Sequence, residues 1–220
     1  MSLWIKICGN TSLADAQLAA EAGADAVGFV LAPSPRRVTP EQVAAIVPQL
    51  PAPLEKIGVF VDAALDEIAS TVEACALTGV QLHFDVSPEL PAQLRARFGP
   101  ALRILRVVHF DGADTAGAPG LHHDPNIDAI LVDALTAKAV GGTGIAYDWS
   151  AAGKTLFQNP EVRQQLIAAG GLTPRNVAEA IATLHPWGVD VVSGVELAPG
   201  RKDPAKVRAF IVNARAARRG

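Results

Sequence analysis

Short apolar runs rich in Val and Ile recur along the chain, separated by longer stretches of helical periodicity. They cover residues 4–8, 26–31, 56–61, 80–83, 102–108, 129–133, 165–169 and 189–192, which makes eight. Within them hydrophobicity is continuous rather than alternating, as a strand buried on both faces requires. Strands that alternate with helices imply parallel pairing through right-handed crossovers. About 27 residues per repeat hold a strand, a loop and about three helical turns. The helix starts agree with this register, because Thr39-Pro40, Ser87-Pro88, Thr173-Pro174 and Asp203-Pro204 each place a capping oxygen before a proline at the first helical position. After the third strand, Leu65, Ile68, Val72 and Cys75 fall on one helical stripe, which predicts Cys75 as core packing rather than a reactive thiol. The fifth repeat is the weakest: residues 111–126 carry three glycines, two prolines and little apolar periodicity, so its helix is expected to be short or absent.

Eight such repeats without a linker or shift of composition predict one domain over residues 1–220, an α/β fold in which eight parallel strands close into a (β/α)8 TIM barrel. A doubly wound open sheet is the alternative, but it would need edge strands, and no G-x-G-x-x-G follows the first strand. With half of its 220 residues hydrophobic, the chain can bury a core of that size. Nineteen basic against 22 acidic residues leave a net charge of −3, with no basic run before Arg215, Arg218 and Arg219, which argues against a nucleic-acid partner and for a small molecule. No apolar stretch reaches the roughly 18 residues of a bilayer span, and the first strand pattern starts at the N-terminus, so a cytoplasmic protein without membrane contact is expected, as monomer or homodimer. Two cysteines make a disulfide framework improbable.

In such a barrel the chemistry sits at the C-terminal ends of the strands. The polar residues there are Lys6 and Cys8 on strand one, Ser34 and Arg36 after strand two, Asp62 after strand three, Gln81 and His83 on strand four, Arg106 on strand five and Asp133 on strand six. Three glycine loops follow late in the chain: Gly141-Gly142-Thr143-Gly144, Gly170-Gly171-Leu172-Thr173 and Ser193-Gly194-Val195-Glu196. Glycines let several N–H groups converge on one anion, and the last two loops stand on the strands where barrel phosphate sites usually lie, which points to a phosphorylated substrate. Lys6 beside Cys8 is expected to lower the thiol pKa, leaving Cys8 open between a base or nucleophile and a small buried apolar residue. Asp133 ends an apolar strand and is either a proton donor of raised pKa or a loop cap. Arg36 is suited to fork onto a substrate carboxylate, with Arg37 facing solvent. Gln81 and His83 share a strand face and are either contacts in the mouth or hydrogen-bonded core groups. His122 and His123 have no partner at metal-ligand spacing, so no metal is expected, and Asp148 reads as a helix N-cap.

The chain resembles the phosphoribosylanthranilate isomerases over its full length. The resemblance rests on Lys6-Ile7-Cys8-Gly9, Ser34-Pro35-Arg36, Val80-Gln81-Leu82-His83, Val132-Asp133, Gly141-Gly142-Thr143-Gly144 and Ala169-Gly170-Gly171-Leu172, closing with Ser193-Gly194-Val195-Glu196, Pro199-Gly200 and Lys202-Asp203. It implies a barrel of the ribulose-phosphate-binding type, with Cys8 as general base and Asp133 as general acid. It also implies Arg36 on the anthranilate carboxylate and the late glycine loops, among them Gly142, Gly170, Gly171, Ser193 and Gly194, around the phosphate. The implied reaction is an Amadori rearrangement in tryptophan biosynthesis, expected to need no cofactor because the substrate nitrogen would be the electron sink. Two departures stand out, Phe84 where members usually carry Gly and Arg106 where Lys is common. The isomerase of histidine synthesis that acts on an aminoimidazole-carboxamide ribotide is the nearest alternative, but it uses an aspartate where this chain has Cys8. A phosphosugar-binding barrel without turnover is the non-enzyme reading.

Overall fold

The computed structural model describes residues 2–83, 87–110, 123–134, 148–160 and 162–218. Eight parallel strands close into a barrel in chain order: β1 (Trp4–Ile7), β2 (Ala26–Val30), β3 (Glu55–Val61), β4 (Gly79–His83), β5 (Arg103–Phe110), β6 (Ala129–Ala134), β7 (Gln165–Ala168) and β8 (Gly188–Val191), with β8 pairing back onto β1. The helices α1 (Leu13–Ala22), α2 (Pro40–Ile46), α3 (Leu65–Cys75), α4 (Leu90–Phe98), α5 (Trp149–Ala152), α6 (Val177–Leu184) and α7 (Pro204–Ala217) run between or after the strands. A two-stranded antiparallel ribbon, β9 (Glu196–Ala198) and β10 (Arg201–Lys202), folds over the mouth end between β8 and α7.

Burial on both faces is why the strand sequences read as continuous apolar runs. One face supplies the barrel interior, where Trp4, Ala26, Ile57, Leu105, Leu131 and Ile167 form one cluster. The other packs Ile5, Val27, Phe60, Leu82, Ile104 and Ile130 under the helices. Because successive side chains alternate, parity along each strand decides which polar residue reaches the mouth. Lys6 and Cys8 share the inward parity of Trp4, and Asp133 shares that of Ala129 and Leu131. Arg106 has the wrong parity: it stands between inward Leu105 and Val107, in line with Ile104, and is directed under the helices rather than at a substrate. That corrects the expectation placed on it. β5 also runs two residues past residue 108, which brings His109 onto the inner face.

Two helices begin later than the cap-and-proline pattern predicts. Ser87 and Thr173 instead open a turn: Leu90 N–H donates to the Ser87 carbonyl, and the Asn176 side chain folds back to accept from Thr173 N–H at 2.7 Å. Thr39 and Asp203 do cap α2 and α7. Cys75 is 1 % exposed and its thiol donates to the Pro40 carbonyl, as core packing requires. Arg215 is not part of a loose basic tail, because it binds Asp25 at 2.7 Å, and Asp25 in turn accepts the Ile5 N–H of β1. Residues 111–122 of the fifth repeat lie outside the described residues, as do Phe84, His122 and the 141–144 loop with Gly142. Among the described residues no helix is long and apolar enough to cross a membrane.

Candidate active site

One cavity at the C-terminal end of the barrel is lined by Cys8, Ser34, Arg36, Gln81, His83 and Asp133, together with Asp190. It therefore gathers residues from β4, β6 and β8, from the position just after β1 and from the loop after β2. Cys8 is 3 % exposed, and its thiol occupies space left by Gly28 on the neighbouring strand, where a Cβ would collide with the sulfur. Glycine in β2 is thus what lets the thiol sit at the floor of the mouth.

Lys6 lies one layer deeper, fully buried. Its ammonium donates to Gln81 Oε1 at 2.8 Å and to Asp190 Oδ1 at 2.7 Å, and it is not among the residues that line the cavity. Burial opposes its charge, but Asp190 and Cys8 outweigh that and hold the Lys6 pKa above its usual value. The thiol is affected the other way from expectation. Burial, the largest influence, pushes the Cys8 pKa up; Lys6 pulls it down, Asp190 adds to the rise, and Lys202 opposes it. The nearby cation fails to win chiefly because burial disfavours the thiolate, with the Asp190 carboxylate adding to that push.

His83 and His109 approach each other with ring centroids 5.1 Å apart, and His109 stands opposite Asp133 in the β5–β6 pairing. Burial, then the neighbouring His109 and Lys6, lower the His83 pKa to about 4 from 6.5. A base whose folded pKa is depressed leaves stability intact above its unfolded value and loses it as pH falls, since the unfolded chain takes the proton first. Between pH 6.5 and about 4 the linkage costs about 3 kcal/mol. We expect urea midpoints of the parental protein to fall over that window more steeply than those of His83→Gln; parallel curves would contradict it.

Arg36 meets an unexpected partner. Its Nε donates to Glu196 Oε1 and Oε2 at 2.9 and 3.1 Å and its Nη2 to Oε2 at 2.7 Å. Glu196 also accepts from Lys202 Nζ at 3.2 Å and Gly200 N–H at 3.3 Å. Burial would raise the Glu196 pKa, but the Arg36 hydrogen bond and the Lys202 and Arg36 charges overcome it and hold the carboxyl below its usual range. Lys202 is 2 % exposed, and its ammonium further donates to the carbonyls of Cys8 at 2.5 Å and Val192 at 3.4 Å. Burial lowers its pKa, with Glu196 and Cys8 offsetting part of the effect. Arg37 is exposed.

The two described glycine loops follow β7 and β8, the latter paired with β1, and their residues Gly170, Gly171, Ser193 and Gly194 do not line the cavity that holds Cys8. Gly170 and Gly171 have φ of 78° and 66°, a conformation that side chains with a Cβ rarely adopt. A Cβ at Gly194 would strike the Leu172 carbonyl, so this glycine lets the loops after β7 and β8 pack together. A separate depression beside them is bordered by Thr173, Asn176, Ser193, Gly194 and Lys206. The described residues contain no group of three or more His, Cys, Asp or Glu that could hold a metal ion.

Four residues of this site escaped the sequence reading. Asp190 carried a signal, a charge inside an apolar strand at inward parity. Glu196 and Lys202 lay within the closing motif but had no assigned role, and His109 was hidden by the misjudged end of β5.

Comparison with known proteins gives the family and the fold. Residues 5–213 match the family model described as N-(5'phosphoribosyl)anthranilate (PRA) isomerase. The chain is 44% identical over 208 residues to the N-(5'-phosphoribosyl)anthranilate isomerase of Pelobacter propionicus, covering 94% of this chain and 93% of that one. Among solved structures, the phosphoribosyl anthranilate isomerase of Thermotoga maritima superposes with a TM-score of 0.85 at 35% identity, over 97% of this chain and 99% of that one. A phosphoribosyl anthranilate isomerase in complex with reduced 1-(o-carboxyphenylamino)-1-deoxyribulose 5-phosphate superposes with a TM-score of 0.82 at 34% identity, over 97% and 99% of the two chains. With its barrel, its strand-one cysteine and its strand-six aspartate on one cavity, the chain belongs to the N-(5'-phosphoribosyl)anthranilate isomerase family.

Proposed function

We propose that this protein carries out the tryptophan-pathway conversion of N-(5'-phosphoribosyl)anthranilate to 1-(2-carboxyphenylamino)-1-deoxyribulose 5-phosphate, with Cys8 and Asp133 as the proton-transfer pair. The observation that carries the reading is that these two, from β1 and β6, line one cavity with Arg36 at its rim. Asp133 protonates the furanose ring oxygen, and the ring opens to a Schiff base. Cys8, as thiolate, then removes the C2' proton to give an enolamine, which tautomerises to the ketose. The net change is an intramolecular aldose–ketose isomerisation in which the substrate nitrogen takes the electron pair. A raised thiol pKa makes the thiolate scarcer but more basic, two effects that oppose each other in proton abstraction.

Arg36 forks onto the anthranilate carboxylate, while Gln81 and His83 provide polar contacts on the floor. Backbone N–H groups of Gly170, Gly171, Ser193 and Gly194 receive the phosphate, a role supported by the left-handed glycines and the close packing of the two loops. As a biosynthetic enzyme the protein is placed in the cytoplasm.

The test is turnover by the purified protein, followed as loss of substrate fluorescence, with the aminoimidazole-carboxamide ribotide of histidine synthesis run in parallel. Conversion of the anthranilate compound alone is expected. No conversion of it would overturn the reading, and equal conversion of both would overturn the assigned specificity.

A further inference from the structure

The buried pair Glu196–Lys202 has no step in the proposed reaction, yet it touches both ends of the site. Resting on that reaction, we propose that Glu196 and Lys202 are positioning residues for recognition of the substrate carboxylate: Glu196 fixes the edge that Arg36 presents, and Lys202 sets the charge of the cluster and ties it to β1.

Glu196 takes the Nε–Nη2 edge of the guanidinium. Among the described residues the Nη1 group has no hydrogen bond, so the outer Nη1–Nη2 edge remains for a second carboxylate. A planar guanidinium offers five donors in a fixed fork, and holding one edge leaves the other pre-oriented. The aliphatic part of Arg36 is pinned too, because it lies against Gly9, where a Cβ would come within 2.9 Å of its Cδ. An anchor that ties up one edge of the arginine is therefore compatible with ligand binding.

Charge decides what the cluster binds. Lys202 donates to three acceptors, Cys8 O, Val192 O and Glu196 Oε1, which takes all three protons of an ammonium. Arg36 and Lys202 contribute +2 and Glu196 contributes −1, so the cluster carries +1. One substrate carboxylate brings it to zero. Without Lys202, Arg36 and Glu196 would already neutralise each other, and an arriving carboxylate would find no net attraction and a buried like charge. The Lys202 bond to the Cys8 carbonyl also fixes the end of β1 that presents the thiol, so the carboxylate anchor and the base share one mount.

The experiment compares the parental protein, Glu196→Gln, Glu196→Asp, Lys202→Met and Lys202→Arg on two substrates, N-(5'-phosphoribosyl)anthranilate and the corresponding N-(5'-phosphoribosyl)aniline, which lacks the carboxylate. Glu196→Gln raises the cluster charge to +2 but releases the clamped guanidinium edge, and orientation is expected to outweigh charge: KM for the anthranilate compound should rise by about tenfold with kcat changed by less than about threefold, while KM for the aniline compound stays within about twofold. Lys202→Met should lose the same preference and also lower kcat on both substrates alike, with Lys202→Arg restoring the preference. Glu196→Asp keeps the buried charges but withdraws the clamp, and it decides the matter if Glu196→Gln does not fold. A folded Glu196 or Lys202→Met variant that keeps the parental ratio of the two KM values overturns the inference, as does an equal rise in both. A parental protein inactive on the anthranilate compound overturns the underlying reaction, and this inference with it.

Discussion

Cys8→Ala and Asp133→Asn are each expected to lower kcat by at least the roughly hundredfold typical of a lost general base or acid, with substrate affinity changed far less. The two residues line one cavity from the end of β1 and from β6, so in the proposed reaction each proton transfer has one group to perform it, and the proposed contacts to carboxylate and phosphate come from other elements. Cys8→Ala removes the thiol from the space beside Gly28 without forcing anything into it. Asp133→Asn keeps the shape and loses the transferable proton. Cys75→Ala is the control, since its thiol is buried under α2 and α3 and bonded to the Pro40 carbonyl; it should cost stability through a small core vacancy and leave kcat close to parental. Near-parental kcat for Cys8→Ala, or an inactive but folded Cys75→Ala by circular dichroism, would refute the assignment.

The second large effect concerns the Lys6–Asp190 pair, at 2.7 Å with side-chain exposures of 0% and 6%. Removing one member leaves the other charge buried without its partner, which typically costs about 3–5 kcal/mol, whereas removing both costs far less than the sum. Urea unfolding of Lys6→Met, Asp190→Asn and the double variant measures this; additive losses would mean that the pair is not coupled. The same variants should move the ionisation of Cys8 in opposite directions. Lys6 pulls the thiol pKa down and Asp190 pushes it up, both against a larger upward push from burial. The rising limb of kcat/KM with pH should therefore shift to higher pH in Lys6→Met and to lower pH in Asp190→Asn, where Lys6 faces the thiol alone. A shift of both limbs in the same direction would remove the pair from control of the base.

Much of this arrangement is written locally. Eight apolar runs with helical periodicity between them specify the barrel, because strands buried on two faces leave a continuous hydrophobic signature and parallel neighbours need crossovers. Alternation along the same runs puts Lys6 with Cys8, and Gln81 with His83, on shared strand faces, but runs that are apolar on both faces do not tell which face is inward, which is why Arg106 is misjudged. The family motifs then supply roles for Cys8, Asp133 and Arg36 that spacing alone leaves open. What the chain could not reveal by itself depends on groups far apart in sequence. Glu196 stands 160 residues from Arg36, and Asp190 stands 184 from Lys6, so neither ion pair has a periodicity to betray it. The pKa of Cys8 shows the consequence. Next to a lysine in sequence, a thiol should become more acidic; in the folded barrel that lysine is already paired and water is excluded, so the thiol becomes less acidic. Local pattern determined the strands and most of the polar residues at their ends, whereas closure of the barrel decided which of them face the mouth, as Arg106 and His109 show, and which charges they meet there, because electrostatic balance in a buried site is set by every neighbour in space and not by those along the chain.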